Sequence, residues 1–284
     1  MREWPQDFDR VRAAAERRLE KSVESLNNDE RRRLIAAVRE YGSIENIPPA
    51  VWDDIEREAY LALLPLLWSV SVEAADVVLQ SLDSGRAPEA VQAATQQRAD
   101  AQAKRIASAS TAALRKRVQR FNLPPAPVSV LSVPPSVPPG IVRPNAPAPT
   151  PDPTQFTTMS DLELRRWALD AIRKATELEK AKLADIAGQY AAEAIGDGAR
   201  GGGEIYQAEN PHHTVTLIWR VRKTNGTNAP GLPQDDRVCP ICAPLEGLPE
   251  SIWAEYVLGV PAHWGCRCEY QIFVTLGRFG TGLR

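Results

Sequence analysis

Apolar side chains recur every three or four residues through most of the first 122 positions, which is the spacing of amphipathic helices. The second helix in this region is predicted to begin at a cap formed by Asn28 or Asp29 and to end at Gly42. The first helix precedes this cap, and its apolar face is formed by Trp4, Phe8, Val11, Ala15, Leu19 and Val23.

Two more helices are each predicted to open with a first-turn proline, at Pro49 and at Pro88. The third helix contains Pro65, where a bend is expected, and should end by Gly85. Its most apolar stretch, residues 60–68, is too short to span a bilayer and contains that proline, so it predicts a buried helical segment and no membrane association. The sequence therefore predicts a helical domain over residues 1–122.

A proline-rich segment follows at residues 123–158, where half of the chain's 24 prolines fall between Pro124 and Pro153. Proline at this density excludes helix and central strand, and favours an extended strap. The segment is either a passive linker or a tether that docks on a partner. The second alternative is suggested by its aliphatic residues Val128, Val130, Leu131, Val133, Val137, Ile141 and Val142.

Residues 159–284 predict a small α+β unit. The sequence from Ser160 to Glu163 has the form of a capping box, which should start a long helix that continues through Tyr190. The glycines at 196, 198 and 201–203 are predicted to end this helix. Alternating apolar residues predict strands at 214–222 and 269–274. The expected fold class is therefore α+β and predominantly helical.

Charge is nearly balanced, with 34 Lys and Arg against 36 Asp and Glu, which is not typical of a dedicated nucleic-acid binder. The fourth helix is nevertheless locally basic, with Asp100 its only acidic residue between positions 98 and 120. This face is either simply solvated or contacts DNA phosphates or an acidic partner. The basic residues concerned are Arg98, Lys104, Arg105, Arg115, Lys116, Arg117 and Arg120.

The four cysteines of the chain and one histidine fall within thirty residues near the C-terminus: Cys239, Cys242, His263, Cys266 and Cys268. Thiolates and imidazole at such spacings predict a zinc site, because a Cys-x-x-Cys turn presents two sulfurs to one ion. Zinc takes about four ligands, so the set is either four cysteines or three cysteines with His263. Two disulfides are the less favoured alternative, since residues 1–7 contain no apolar run typical of a secretory signal.

The surplus of ligands favours a closed, structural zinc site over a catalytic one, which would keep an open position. No His-Glu-x-x-His helix and no deaminase motif occurs in the sequence. A hydrolase would need an acid or base beside the metal, and Asp235, Asp236 and Glu246 are the nearby carboxylates. Turn positions explain these carboxylates equally well, so no catalytic residue is predicted and the protein is not expected to be an enzyme.

The run DRVCPIC at 236–242 and the run PAHWGCRC at 261–268 follow a long helix and a strand that carries Trp219. Together they resemble the minor head proteins of tailed bacteriophages, the Mu F-like head morphogenesis family, over residues 160–275. The resemblance implies a structural virion protein that acts in head assembly, present in several copies at the capsid interior or portal and made in the host cytoplasm. The implied partners are the portal protein, the major capsid protein or both, and possibly packaged DNA. A nucleic-acid-binding module and, after it, a metal-dependent hydrolase or nuclease are the alternatives.

Overall fold

The computed structural model describes residues 2–3, 8–82, 84, 88–122, 160–180, 182–221, 241–255 and 268–276. The protein is predominantly helical with a small antiparallel sheet, which confirms the coarse fold prediction. The proline-rich segment 123–158 lies outside the described residues, so the strap stays a prediction. The helices are α1 (Phe8–Tyr41), α2 (Pro49–Ser81), α3 (Pro88–Phe121), α4 (Asp161–Lys180), α5 (Leu183–Glu209) and α6 (Glu250–Trp253), and the strands are β1 (Arg2–Glu3), β2 (His213–Arg220) and β3 (Glu269–Leu276).

Helix α1 is one continuous helix, and the prediction of two helices divided at Asn28 or Asp29 is wrong. Asn28 is exposed and Asp29 is half-buried, so these polar residues lie toward solvent on an uninterrupted helix instead of capping a new one. The predicted end is confirmed: Gly42 has φ +85°, and its N–H donates to the Val38 carbonyl oxygen at 2.9 Å.

Helices α4 and α5 together act as a broken fourth helix beside α1, α2 and α3. The α4 cluster of buried apolar residues joins α4 to one half of the bundle and includes Leu34, Ile55, Leu114 and Ile172. The α5 cluster joins α5 to the other half and includes Leu19, Leu67, Ala99 and Ile195. The fourth helix thus runs antiparallel to α1 and α3, and the long helix predicted through Tyr190 is interrupted between Lys180 and Leu183.

The glycines at 196, 198 and 201–203 lie inside α5, so the prediction that they end the helix is wrong. Gly198 and Gly202 pack closely against α2, Gly201 faces α3, and Gly203 faces the sheet. A Cβ added at Gly202 would lie 2.9 Å from the Ala75 carbonyl oxygen and 3.0 Å from the Val78 Cβ. Glycine here lets two helices approach more closely than any larger residue would allow, and this packing outweighs the poor helix propensity of glycine.

The regions before and after the proline-rich segment share their hydrophobic cores. The α4 cluster combines Trp52 of α2 with Ala168 and Ala175 of α4, and the α5 cluster likewise draws on both regions. Whether residues 1–122 and 159–284 fold as separate domains is not tested by these contacts, so the predicted division stays a prediction. The shared clusters show that the two regions pack as neighbours in one bundle.

Strand β3 lies between β1 and β2 in an antiparallel sheet. Leu217 pairs with Ile272 and Trp219 pairs with Tyr270, and all of these side chains are buried. The predicted strands at 214–222 and 269–274 correspond to β2 and β3, with shifted ends. Alternate residues of both strands therefore cover the end of α5, as period-two patterning predicts.

Among the described helices, α2 alone is long and apolar enough to cross a membrane, a test that the central helix of a folded bundle also passes. Its buried residues include Leu63, Leu67 and Val78, which belong to the α5 cluster. Helix α2 packs against α1, α3 and α5, and 39% of its most apolar window is buried.

Candidate functional site

Two of the five predicted metal ligands are described, and both are buried thiols. Cys242 is 2% exposed and Cys268 is 4% exposed. Cys239, His263 and Cys266 lie outside the described residues. Within the described ranges no group of three or more His, Cys, Asp or Glu side chains could hold a metal ion. The complete ligand set therefore stays a prediction.

Strand β3 fixes the direction of the Cys268 side chain. Cys268 directly precedes β3, and it alternates with Tyr270 and Ile272, which are 3% and 0% exposed. Side chains two residues apart in an extended chain share a face of the sheet. The Cys268 sulfur therefore lies on the buried face, next to the apolar side chains of β2.

Cys242 reaches the same apolar region from the other edge of β2. It precedes the 3₁₀ turn Ala243–Leu245, and its carbonyl oxygen accepts from the Leu245 N–H at 3.0 Å. The chain then pairs with β2: the Gly247 N–H donates to the Trp219 carbonyl oxygen, and the Trp219 N–H donates to the Leu248 carbonyl oxygen, both at 2.9 Å. Segments on the two sides of β2 thus each contribute one buried sulfur to the α5 cluster.

Three aromatic side chains form the centre of the C-terminal lobe, which comprises β2, β3 and residues 241–255. The Trp219 ring centroid lies 5.5 Å from that of Trp253, and the Trp253 ring stacks on Tyr270 at 5.2 Å. The Trp253 Nε1–H donates to the Leu217 carbonyl oxygen at 3.4 Å. The sequence analysis missed Trp253. Its short helix α6 follows Pro249, a helix-start signal that would have placed it.

The chemistry of the two sulfurs permits two states. As neutral thiols they would behave as small apolar side chains beside Leu245 and Tyr270. As thiolates they would need a cation, because a buried charge without a partner is costly. Zinc suits such soft donors, and the remaining two ligands would come from among Cys239, His263 and Cys266.

Glu246, one of the carboxylates considered for hydrolysis, holds the end of β2. Its carboxylate accepts from the Val221 N–H and from Arg220 Nη1, the latter at 3.1 Å. These contacts join the loop after Cys242 to the strand and give Glu246 a structural role. Asp235 and Asp236 lie outside the described residues.

Three of the seven predicted basic residues on α3 are paired with acidic side chains, and two of these acids lie on α5. Arg98 donates to Glu204 of α5 at 2.6 Å, and Arg105 pairs with Glu193, also of α5. Lys104 pairs with Asp100 one turn earlier on α3, at 2.8 Å. The local excess of positive charge is therefore smaller in the fold than along the chain.

The remaining basic residues lie in the last turns of α3. The Arg115 guanidinium lies 5.6 Å from the ring centroid of Trp52, a cation–π contact. The half-buried Arg117 donates through Nε to the Ala113 carbonyl oxygen at 3.3 Å. Lys116 and Arg120 are exposed. The structure thus does not present the seven residues as one continuous basic face.

No known family model matches the chain, and no curated protein and no solved structure matches it either. The resemblance to phage minor head proteins therefore rests on the cysteine and histidine motif of residues 236–242 and 261–268.

Proposed function

We propose that this protein is a structural component of a bacteriophage head that acts in head assembly, with a C-terminal lobe stabilised by zinc. The proposal rests on one observation: every cysteine lies with His263 in one short region, in a pattern that resembles the Mu F-like head morphogenesis family. The burial of Cys242 and Cys268 in one apolar cluster supports a common structural role for these sulfurs.

A closed metal site suits these surroundings better than a catalytic one. Catalytic zinc keeps one coordination position open to water or substrate. Cys242 and Cys268 are nearly inaccessible, and Glu246, the described carboxylate close to them in sequence, is held by Arg220 and Val221. These observations favour zinc as a cross-link and an assembly protein over a hydrolase.

The zinc would hold together a lobe whose own core is small. The described part of this lobe relies on a few large side chains, chiefly Trp219, Trp253 and Tyr270. When bound, a structural zinc supplies folding free energy by linking distant segments. Cys242 and Cys268 would hold it from the two sides of β2, with further ligands from Cys239, Cys266 or His263.

The helical bundle would serve as the body of the assembly protein, and residues 123–158 as its tether. The proline content and the aliphatic residues of this segment favour docking along a partner surface. The proposed partners are the portal protein and the major capsid protein, at the capsid interior or portal region of the virion.

Native mass spectrometry of the protein co-expressed with candidate portal and major capsid proteins tests this function. We expect a stable complex with at least one of the two proteins and one zinc per chain. A chain that stays unbound with both partners would overturn the assembly role. A chain that binds them without zinc would overturn only the structural metal.

DNA binding by α3 is the competing function, and the ion pairs of Arg98, Lys104 and Arg105 weigh against it. The exposed Lys116 and Arg120 are the residues left to contact phosphates. Gel retardation that falls steeply with salt and disappears in a Lys116→Glu, Arg120→Glu variant would favour DNA binding. We expect no retardation of either protein.

A further inference from the structure

The outward face of α2 carries an apolar stripe in the middle of the helix. Residues 59–72 include no charged side chain, whereas a glutamate comes directly before and directly after them. Helical spacing places five apolar residues of this stretch on the face opposite the buried Leu63 and Leu67. Leu61 is 57% exposed, Pro65 is exposed, and the other three are half-buried. The α2 stripe consists of Leu61, Leu64, Pro65, Trp68 and Val72.

The neighbouring helices border the α2 stripe without covering it. On one side, Arg18 of α1 donates to the Glu73 carboxylate at 2.9 Å. On the other side, the Tyr60 hydroxyl donates to the Asp100 carboxylate of α3 at 2.7 Å. Within the part of the chain that the structure describes, more than half of the Leu61 surface therefore stays open to solvent. Covering apolar surface of this kind is favourable by roughly 25 cal/mol per Å².

The described residues on the two sides of the proline-rich segment both lie at the end of the bundle where α2 begins. Asn122, which follows α3, donates to Glu45, shortly before the first residue of α2. On the far side of the segment, Ala168 of α4 shares the α4 cluster with Trp52 of α2. A contact between the segment and the α2 stripe must therefore be reached from this end and left toward it.

The length of the segment brings residues 128–133 level with the α2 stripe. At a rise of about 1.5 Å per residue, the stripe runs from about 18 Å to about 35 Å beyond Pro49 along the helix. In an extended chain of about 3.1 Å per residue, Val128 and Val133 are about 19 Å and about 34 Å from Asn122. The residues from Val133 to Ser160 span about 84 Å when extended, which exceeds the distance back.

The composition of residues 128–133 also suits an apolar surface. This run has no charged residue and no proline, and it contains two serines and four aliphatic residues. Pro127 and Pro134 flank it and favour an extended chain before any contact forms, which lowers the entropy lost on binding. The aliphatic residues are Val128, Val130, Leu131 and Val133.

We propose that residues 128–133 bind the α2 stripe of the same chain. Burial of Leu61 and Pro65 against the aliphatic side chains supplies the free energy of this contact. Trp68 adds an aromatic surface, which proline-rich segments commonly bind. The contact needs no partner protein, so it is independent of the proposed role in head assembly. Docking of the same aliphatic residues on a partner surface would require their release from α2.

Photo-cross-linking of the purified protein tests this contact. The variant Leu61→p-benzoylphenylalanine should form a cross-link to residues 128–133, which mass spectrometry identifies. In a mixture of isotope-labelled and unlabelled chains, each cross-linked peptide pair should carry a single isotope composition, as expected within one molecule. Glu20→p-benzoylphenylalanine is the matched control. Glu20 is exposed on α1, close to the level at which Arg18 meets Glu73, and should give no cross-link to this run.

A second variant removes the aliphatic side chains of the segment and keeps Leu61→p-benzoylphenylalanine. It carries Val128→Ser, Val130→Ser, Leu131→Ser and Val133→Ser, and it should fold, because none of the four residues lies in a described helix. We expect it to lose the cross-link.

Three results would overturn the contact: no cross-link from position 61 to residues 128–133, an equal yield from position 20, or persistence of the cross-link in the serine variant. Cross-linked pairs of mixed isotope composition would also overturn it, since they would identify a second copy of the chain as the occupant of the α2 stripe.

Discussion

Gly198 of α5 lies directly against Ser71 of α2, so closely that a Cβ at position 198 would be 2.2 Å from the Ser71 carbonyl oxygen. Ser71 is fully buried, and its hydroxyl donates to the Ala194 carbonyl oxygen at 3.0 Å. The two helices therefore meet backbone to backbone at this point, and the absent side chain of Gly198 is what allows it.

The Gly198→Ala variant should be strongly destabilised. The added methyl group meets main-chain atoms of α2 that cannot move without displacing the helix. We expect a loss of about 3 kcal/mol or more in the free energy of unfolding, which outweighs the roughly 1 kcal/mol gained from the better helix propensity of alanine. Equilibrium unfolding in urea measures the difference.

Gly201→Ala is the matched control on the same helix. A Cβ at 201 would lie 3.2 Å from Arg98 Nη1, at the end of a long side chain that can adjust. Its free energy of unfolding should change by no more than about 1 kcal/mol in either direction. Equal stability of the two alanine variants would show that α2 and α5 are not in close contact.

Removal of zinc should destabilise the wild type and leave a ligand variant unaffected. A chelator should lower the melting temperature of the wild type, because the proposed structural zinc would contribute folding free energy. The Cys268→Ala variant should contain less than one zinc per chain and melt at the same temperature with or without chelator. Elemental analysis and thermal unfolding provide the two readouts.

Ile252→Ala is the control for that experiment, since Ile252 lies in the same lobe but its side chain is 43% exposed. This variant should keep the zinc content and the chelator response of the wild type. A wild-type melting temperature that does not respond to complete chelation would contradict the structural metal.

We expect the ionisation of Asp197 to make the stability of the protein depend on pH. Burial raises the pKa of Asp197 above its ordinary value, although Arg98, Arg200 and Arg105 act in the opposite direction. When the pKa of a carboxyl group is higher in the folded protein than in the unfolded chain, protonation of that group stabilises the folded protein. The ionised group therefore reduces stability at neutral pH, and this loss diminishes as the pH falls through the folded-state pKa.

Asp197→Asn should accordingly raise the melting temperature at neutral pH, and its advantage should vanish in acid. Melting temperatures of both proteins over a pH series check this. Glu204→Gln is a useful contrast, because it removes the partner of Arg98 and should lower stability at neutral pH. A lower melting temperature for Asp197→Asn at neutral pH would mean that attraction to the arginines dominates.

The capping box at the start of α4 gives a further prediction. The Ser160 N–H donates to the Glu163 carboxylate at 2.8 Å, and the Glu163 N–H donates to Ser160 Oγ at 3.4 Å. Ser160→Ala should lower the free energy of unfolding by about 1 kcal/mol, whereas Ser160→Thr should nearly preserve it. Urea unfolding distinguishes the two, and equal stability of both variants would show that the cap is not formed.

The same hydrogen bonds make the stabilisation that this cap provides depend on pH. The backbone N–H and the hydroxyl of Ser160 lower the pKa of Glu163. The stabilisation that they provide is therefore present above the unfolded-state pKa of a glutamate and is lost as the pH falls through the lowered value.

Local signals in the sequence predicted the helix boundaries that local chemistry controls. Helix α3 begins at Pro88 and ends at Phe121 as expected, and Ser160 caps α4. The glycines of α5 were misinterpreted because their isolated preference is to end a helix. Gly198 and Gly202 instead allow close contact with α2, which lies more than a hundred residues away along the chain.

In the candidate sites too, local sequence predicted some features, whereas others depend on how the helices pack. Cysteine spacing alone predicted the metal ligands, and the structure adds the burial of Cys242 and Cys268. The pairing of Arg98 and Arg105 with Glu204 and Glu193 could not be predicted, because it depends on which helix packs beside α3.

Because α4 and α5 pack against α1, α2 and α3, we expect the fold to survive cleavage of the segment that connects them. Because α4 and α5 complete the hydrophobic clusters begun by α1, α2 and α3, hydrolysis of a peptide bond between positions 123 and 159 would separate the chain without separating its cores. The two fragments should remain bound to each other as a noncovalent heterodimer. Neither fragment alone would have its apolar helix faces covered.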